Sequence, residues 1–402
     1  MSELFLKSQD NTEFEVYSAS SKNHGGSKNP YNQDFLTSYI SPRVQIFAVC
    51  DGHGKEKTLD SGGKIAETCT KYLPIFSELH EQLIFDNIES FIDLWSVYIE
   101  EKILEEVQKF ILDNNITKPF TKFNGGSTSS IIIITDTFIH RAYLGDSKIL
   151  GCCNKEIDTD KLSNKVVDLA TGFNSDTTIS NNTTKWVLKD SKIEKETLEN
   201  NNKPFFELSS AINHDALNIY EYKRCLEYCK QTNKSFTFDY AHPRRLTNQQ
   251  IFTLDLDNNE IIEESPQPGK FYYCTSNKDI ATVIKKNEYG NLFELAMTRS
   301  HGEYNLKDVG VSSEYVLEST PIKSIFESND QDLFCIIGAS DGIWDCLTNE
   351  QVQEFIMRPE FSYQEPETIV ERLIEYILEY GKTLFGEDLD NLSAWIIFLK
   401  KI

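Results

Sequence analysis

Two apolar segments of this 402-residue chain each run directly into an Asp-Gly pair. One is Val44-Gln45-Ile46-Phe47-Ala48-Val49-Cys50 before Asp51-Gly52-His53-Gly54; the other is residues 333–340 before Asp341-Gly342-Ile343-Trp344-Asp345. Apolar runs of this length predict buried strands. A buried strand that ends on a carboxylate, followed by a residue without a side chain, aims the carboxylate into a cleft beside bare backbone. A lone Asp at a strand end is ordinarily a turn former or a cap. Two such ends, far apart in sequence, point to a fold that gathers them around a cation.

Hydrophobic residues make up 39% of the chain and aromatics 12%, which supports a sizeable core and excludes a disordered chain. The formal net charge of -23 repels phosphate backbones and anionic membranes, so no nucleic acid or membrane surface is expected as a partner. Nine cysteines, an odd number without a CxxC, include Cys50 and Cys335 in apolar surroundings. They predict reduced, buried thiols and hence a reducing compartment, cytoplasmic or nuclear. Residues 1–7 lack the apolar core of a signal peptide, and the run 131–134 is far too short for a membrane span.

Strands are predicted at 14–18, 35–40 and 44–50, then one amphipathic helix over 83–112 with Phe91, Trp95, Ile99 and Ile103 on its apolar face. A meander at 129–135, 138–144 and 148–153 follows, its short turns calling for antiparallel pairing. Residues 154–204 are polar and read as an insertion; a helix at 215–230 and an irregular, flap-like region at 231–290 come next. The end alternates helix and strand: 292–298, 315–318, 333–339, 351–357, 367–382 and 392–399. Hairpin-joined strands with grouped helices favour an α+β fold, and no linker divides residues 1–402 into separate cores.

Asp34, Asp51, Asp146, Asp341, Asp345 and Asp390 all open or close strands. Four or more at one site would repel one another, and hard divalent cations, Mg²⁺ or Mn²⁺, resolve that conflict. His53, beside Asp51, has the side chain best suited to proton transfer near neutral pH.

The ordered set Asn32-Gln33-Asp34, Asp51-Gly52-His53-Gly54, Gly126-Ser127-Thr128, Gly145-Asp146-Ser147, Thr298-Arg299-Ser300-His301-Gly302-Glu303, Ser340 to Asp345 and Asp390-Asn391 resembles the metal-dependent serine/threonine protein phosphatases of the PPM (type 2C) family. His214, with Glu221 seven residues on, resembles a degraded form of a further family segment. The resemblance spans about residues 14–399. It implies a four-layer αββα sandwich with two central antiparallel sheets and a dinuclear metal site at one end. It implies two Mg²⁺ or Mn²⁺ ions, with Asp51 as bridge, the Gly52 carbonyl as a ligand, Asp341 and Asp390 completing the shell, and Asp34 holding metal-bound waters. Asp146 and Asp345 match positions that help bind a third, weaker cation. The activity implied is hydrolysis of phosphoserine and phosphothreonine in proteins by activated water, with His53 as general acid and no phosphoenzyme. Gly342 is expected to permit a turn.

Some positions depart from the family pattern. Lys28 stands near the place of a phosphate-gripping Arg, Gln33 and Glu303 each replace an acidic counterpart, and Lys148 follows Gly-Asp-Ser where Arg is common. The alternative class is a catalytically weak or silent phosphatase-like scaffold that binds partners. A monomer acting on phosphoprotein substrates is the expectation.

Overall fold

The computed structural model describes residues 2–7, 13–26, 30–55, 59–117, 119–120, 123–154, 163–178, 182–189, 192–199, 205–207, 214, 218–234, 236–242, 245–250, 252–255, 260–263, 281–286, 292–329, 332–361 and 365–402. Two antiparallel sheets form its centre. The first runs in the order Ser2–Lys7, Glu13–Asn23, Leu392–Lys401, Leu333–Ala339, Lys148–Cys152, Phe205–Glu207. The second runs Phe173–Thr178, Ser163–Asp168, Val316–Pro321, Phe138–Leu144, Ser129–Ile134, Gln45–His53, Gly126–Ser127, His301–Gly302, and Asp34–Ile40 pairs with Gln45–His53.

Strand periodicity sorts the side chains into layers. From Gln45–His53, Phe47 points toward the first sheet, where it meets Phe334, Ile336 and Ile397. Its neighbours Ile46, Ala48 and Cys50 point the other way, into a cluster with helices α1 (Ser61–Asp86) and α2 (Ile88–Asp113). Helix α3 (Ile219–Thr232) packs Cys229 with Leu306, Val309 and Val311, and α4 (Ile322–Asn329) closes one end of the inter-sheet core. Helices α5 (Asp341–Cys346), α6 (Asn349–Ile356) and α7 (Pro366–Phe385) cover the outer face of the first sheet through Ile343, Val352, Val370 and Leu373. The result is the expected α+β, four-layer αββα sandwich. Among the described residues no helix is long and apolar enough to cross a membrane.

Three local expectations differ from the structure. In place of one helix at 83–112 there are two, broken at Asn87, whose side chain accepts from Ser90 N at 3.1 Å and caps α2. The earlier helix starts at Asp60, which caps Gly63 N at 2.9 Å. Gly62, Gly63 and Pro74 weaken its local signal, although Ile65, Cys69, Leu73 and Phe76 form its buried face. Second, the polar stretch 154–204 is not wholly outside the sheets. Ser163–Asp168 pairs with Val316–Pro321, and Val166 and Val167 are buried. Among the described residues there, only the hairpin Asn182–Lys189/Lys192–Glu199 forms a sheet of its own. Third, the region expected to be irregular holds a four-stranded sheet of Arg245–Gln250, Thr237–His242, Ala281–Lys286 and Leu292–Leu295, plus the hairpin Phe252–Asp255/Glu260–Glu263.

Candidate metal centre

The site is assembled at the ends of strands from both sheets. Asp34 and Asp51 are direct cross-strand partners on Asp34–Ile40 and Gln45–His53. The Asp51 backbone is fixed on its other side, where its N–H donates to Thr128 Oγ1 at 3.1 Å and its carbonyl accepts from Thr128 N at 2.8 Å. Thr128 Oγ1 in turn lies 2.8 Å from Ser147 Oγ, which ties in the turn bearing Asp146. Gly145 makes that turn with φ +97°, and its N–H donates to His214 Nδ1 at 3.1 Å. His214 therefore braces the Asp146 turn.

The other sheet contributes Asp341 and Asp390. Asp341 is the first residue of α5, directly after Leu333–Ala339 and Ser340, and Asp345 lies one turn further along that helix. Ser340 joins the two sheets: its hydroxyl donates to Asp34 Oδ2 at 2.8 Å and accepts from Ser393 N at 3.1 Å. Asn391, next to Asp390, accepts from Gln33 N at 2.7 Å and donates to the His24 carbonyl at 2.7 Å.

Two glycines are required by close backbone approach. A Cβ on Gly52 would lie 2.5 Å from the Gly62 backbone at the start of α1. A Cβ on Gly342 would lie 2.1 Å from the Asn391 carbonyl. Gly342 sits inside α5, so its role differs from the expected turn: it lets the loop bearing Asp390 rest against the helix.

The electrostatics are those of crowded carboxylates. Burial, then the charges of Asp34, Asp341, Asp390 and Asp146, push the Asp51 carboxyl well above the usual range, although the residue keeps some exposure. Burial raises Asp34 to about 6 against the pull of its Ser340 hydrogen bond. Burial and then the Asp341 charge raise Asp390 to about 7; the residue as a whole is exposed, and solvent screening weakens the effect there. The four charges that act most strongly on Asp51 are all carboxylates.

Asp34 is fully buried, and its Oδ1 has no hydrogen-bond partner among the described residues. A buried carboxylate oxygen left in this way, among donors that are all oxygens, fits hard divalent cations. Among the described residues no three His, Cys, Asp or Glu side chains stand close enough to grip one ion as they are, a spread that suits mutual repulsion.

His53 ends its strand beside the carboxylates. Its Nε2 lies 3.2 Å from Ser300 Oγ and 3.3 Å from Glu303 Oε1. Ser300 is an addition to the residues singled out in the sequence, hinted at only by its place inside the Thr298 to Glu303 motif, and Glu303 stands out there only as a replacement for an acidic counterpart. Arg299 of that motif is buried and structural, forking onto Asp168 at 2.8 and 2.9 Å and reaching Glu221 at 2.6 Å. Lys28 lies outside the described residues.

A protein phosphatase 2C family model matches residues 279–383. Protein phosphatase 2C homolog 3 of Schizosaccharomyces pombe is 31% identical over 106 residues, 26% of this chain and 25% of that protein. Probable protein phosphatase 2C 41 of Arabidopsis thaliana is 33% identical over 136 residues, 34% of this chain and 36% of that protein. The chain thus matches about a quarter to a third of the length of these curated relatives. The crystal structure of serine-threonine phosphatase 2C from Toxoplasma gondii superposes with a TM-score of 0.51 at 15% identity, covering 99% of both chains. The likeness to type 2C phosphatases drawn from the motifs is therefore found again by family, sequence and fold: the chain has the type 2C phosphatase fold, is similar in sequence to these relatives over about a quarter to a third of its length and matches the family model across 279–383. That segment includes Asp341 and Asp345 but not Asp34, Asp51 or Asp390, whose assignment rests on geometry.

Proposed function

We propose that this protein is a metal-dependent serine/threonine protein phosphatase. The observation that carries this is the pairing of Asp34 with Asp51 across neighbouring strands of one sheet, joined through Ser340 to the strand end of the other sheet that bears Asp341. Asp51, the Gly52 carbonyl, Asp341 and Asp390 would hold two Mg²⁺ or Mn²⁺ ions, with Asp34 holding waters around them; Asp146 and Asp345 would take a third, weaker ion. When bound, such ions supply hydroxide near neutral pH and neutralise charge on phosphoryl oxygens.

The chain's own residues do the rest. Thr128 and Ser340 fix Asp51 and Asp34, so the carboxylates keep their places without reorganising. His53 hands a proton to the departing serine or threonine oxygen, a poor leaving group as an alkoxide. The substrates are phosphoproteins.

The test is hydrolysis of a phosphothreonine peptide with Mn²⁺ present. Wild-type protein should turn over, and Asp51→Ala and Asp341→Ala should each lose at least about a hundredfold in rate. Undiminished turnover in either variant sinks the proposal.

A further inference from the structure

Helix α3 carries Tyr222, Leu226, Cys229 and Lys230 at the spacing of one helical face. Past its end the chain turns back on itself. Asn233 takes the left-handed conformation at φ +55°, and the Lys234 N–H donates to the Cys229 carbonyl at 2.9 Å. The turn brings Phe236 onto Tyr222, with ring centroids 5.3 Å apart. These residues line a cavity of about 420 Å³, apolar where Tyr222, Leu226, Cys229 and Phe236 meet. That volume suits a large apolar side chain with the backbone on either side of it.

The rim of the cavity is basic. Lys230 and Lys234 both line it and both are exposed. Lys234 Nζ lies 3.5 Å from Asp308 Oδ2, a solvated pair that contributes little. The Lys230 ammonium has no ion pair among the described residues. In a chain of net charge -23, two lysines around an apolar cavity reverse the local sign and favour an acidic partner there. The helix is also tied to the metal centre. Glu221 accepts from Thr298 Oγ1 at 2.6 Å, and Arg224 donates to the carbonyls of Thr298 at 3.1 Å and Gly310 at 2.7 Å. The Thr298 N–H donates to the His214 carbonyl at 2.7 Å, and His214 holds Gly145, beside Asp146. A segment seated on α3 is thereby held in a fixed relation to the Asp146 turn.

We propose that this groove on α3 docks the phosphoprotein substrate by an acidic segment that carries a large apolar side chain. The apolar side chain enters among Tyr222, Leu226 and Phe236, and the carboxylates around it meet Lys230 and Lys234. This rests on the phosphatase function above and names the substrate class it takes. Docking of this kind binds ground state and transition state alike, so it lowers KM for substrates that carry the segment and leaves kcat unchanged.

The experiment follows the fluorescence anisotropy of a labelled, unphosphorylated peptide, Glu-Glu-Leu-Phe-Glu-Glu, with the Mn²⁺-loaded full chain. Wild-type protein should bind it saturably and more weakly as salt rises. Lys230→Glu and Lys234→Glu, both surface changes, should each raise Kd about tenfold, and a peptide with Gln for every Glu should bind about tenfold more weakly. No saturable binding, equal binding of the Gln peptide, or binding that neither lysine variant changes would overturn the proposal. Dimerisation in sedimentation that Lys230→Glu abolishes would also overturn it, because a second copy would then fill the groove. In a second arm, a phosphothreonine peptide extended by the same segment should have a lower KM than one extended by its Gln version. Lys230→Glu should raise the first KM alone, with kcat and p-nitrophenyl phosphate hydrolysis unchanged; an unmoved KM would overturn the docking role. Inactivity of the wild type would refute the function, while the anisotropy would still decide what the groove binds.

Discussion

Asp34 and Asp51 stand directly opposite one another on neighbouring antiparallel strands, two like charges in a position where strand pairing brings side chains close. Opposed carboxylates destabilise a sheet unless something offsets them. The cost has been kept at the one place where Asp341, Asp390 and Asp146 also act on the pair.

Metal-free stability should carry the mark of Asp34. Its carboxyl, ordinarily near 3.8, is raised to about 6 by burial, so the folded state holds the proton more tightly than the unfolded chain. The associated stability is complete below about pH 4 and is lost as pH rises through about 6. Chemical denaturation in chelator should show wild type losing on the order of 2–3 kcal/mol across that window, with Asp34→Asn flatter. Parallel curves for the two proteins would contradict the assignment.

Ser340 links Asp34 to Ser393 through one hydroxyl. Ser340→Ala removes a donor from a buried carboxylate and an acceptor from a buried N–H. The expected loss is roughly 1–3 kcal/mol in urea unfolding. It should also weaken Mn²⁺ binding measured by calorimetry, and a neutral outcome in both would show that the link does not matter.

Gly342 should not tolerate a methyl group. With the Asn391 carbonyl 2.1 Å from the new Cβ, Gly342→Ala forces the Asp390 loop away from α5. Destabilisation of about 1–3 kcal/mol is expected, with weaker metal binding. Unfolding midpoints and Mn²⁺ titrations check it.

Arg299 should behave as a structural ion-pair centre. Removing it leaves Asp168 and Glu221 as buried charges without their fork, so Arg299→Ala should cost about 3–5 kcal/mol. Arg299→Lys should rescue little, because an ammonium cannot bind two carboxylates in that planar geometry. Full stability in Arg299→Lys would argue against the role.

Much of this was legible in the sequence because the signals are local. Residues 333–339 are a continuous apolar run, residues 138–144 lie between the short turns Thr-Asp-Thr and Gly-Asp-Ser, and the strands match those limits. The Asp-Gly pairs could be read because a strand end and a missing side chain leave a trace in the chain. Long-range facts left weaker traces. Helix α1 opens on Gly62-Gly63 and contains Pro74, so its buried face was hidden behind residues that ordinarily stop helices. Asp168 looked like part of a polar insertion because its burial depends on Arg299, 131 residues away. Glu303 stood out only as a replacement for Asp; its contact with His53 arises from the pairing of Gly126–Ser127 with His301–Gly302.

The central claim is that these carboxylates hold divalent cations that activate hydrolysis of phosphate esters. It is tested most directly by titrating Mn²⁺ into metal-free protein while following phosphothreonine-peptide hydrolysis, then adding chelator and restoring the metal. Saturable activation that chelator abolishes and fresh Mn²⁺ restores, absent in Asp51→Ala, is the predicted result. Hydrolysis that ignores metal and chelator alike, or none at any Mn²⁺ concentration, would contradict it.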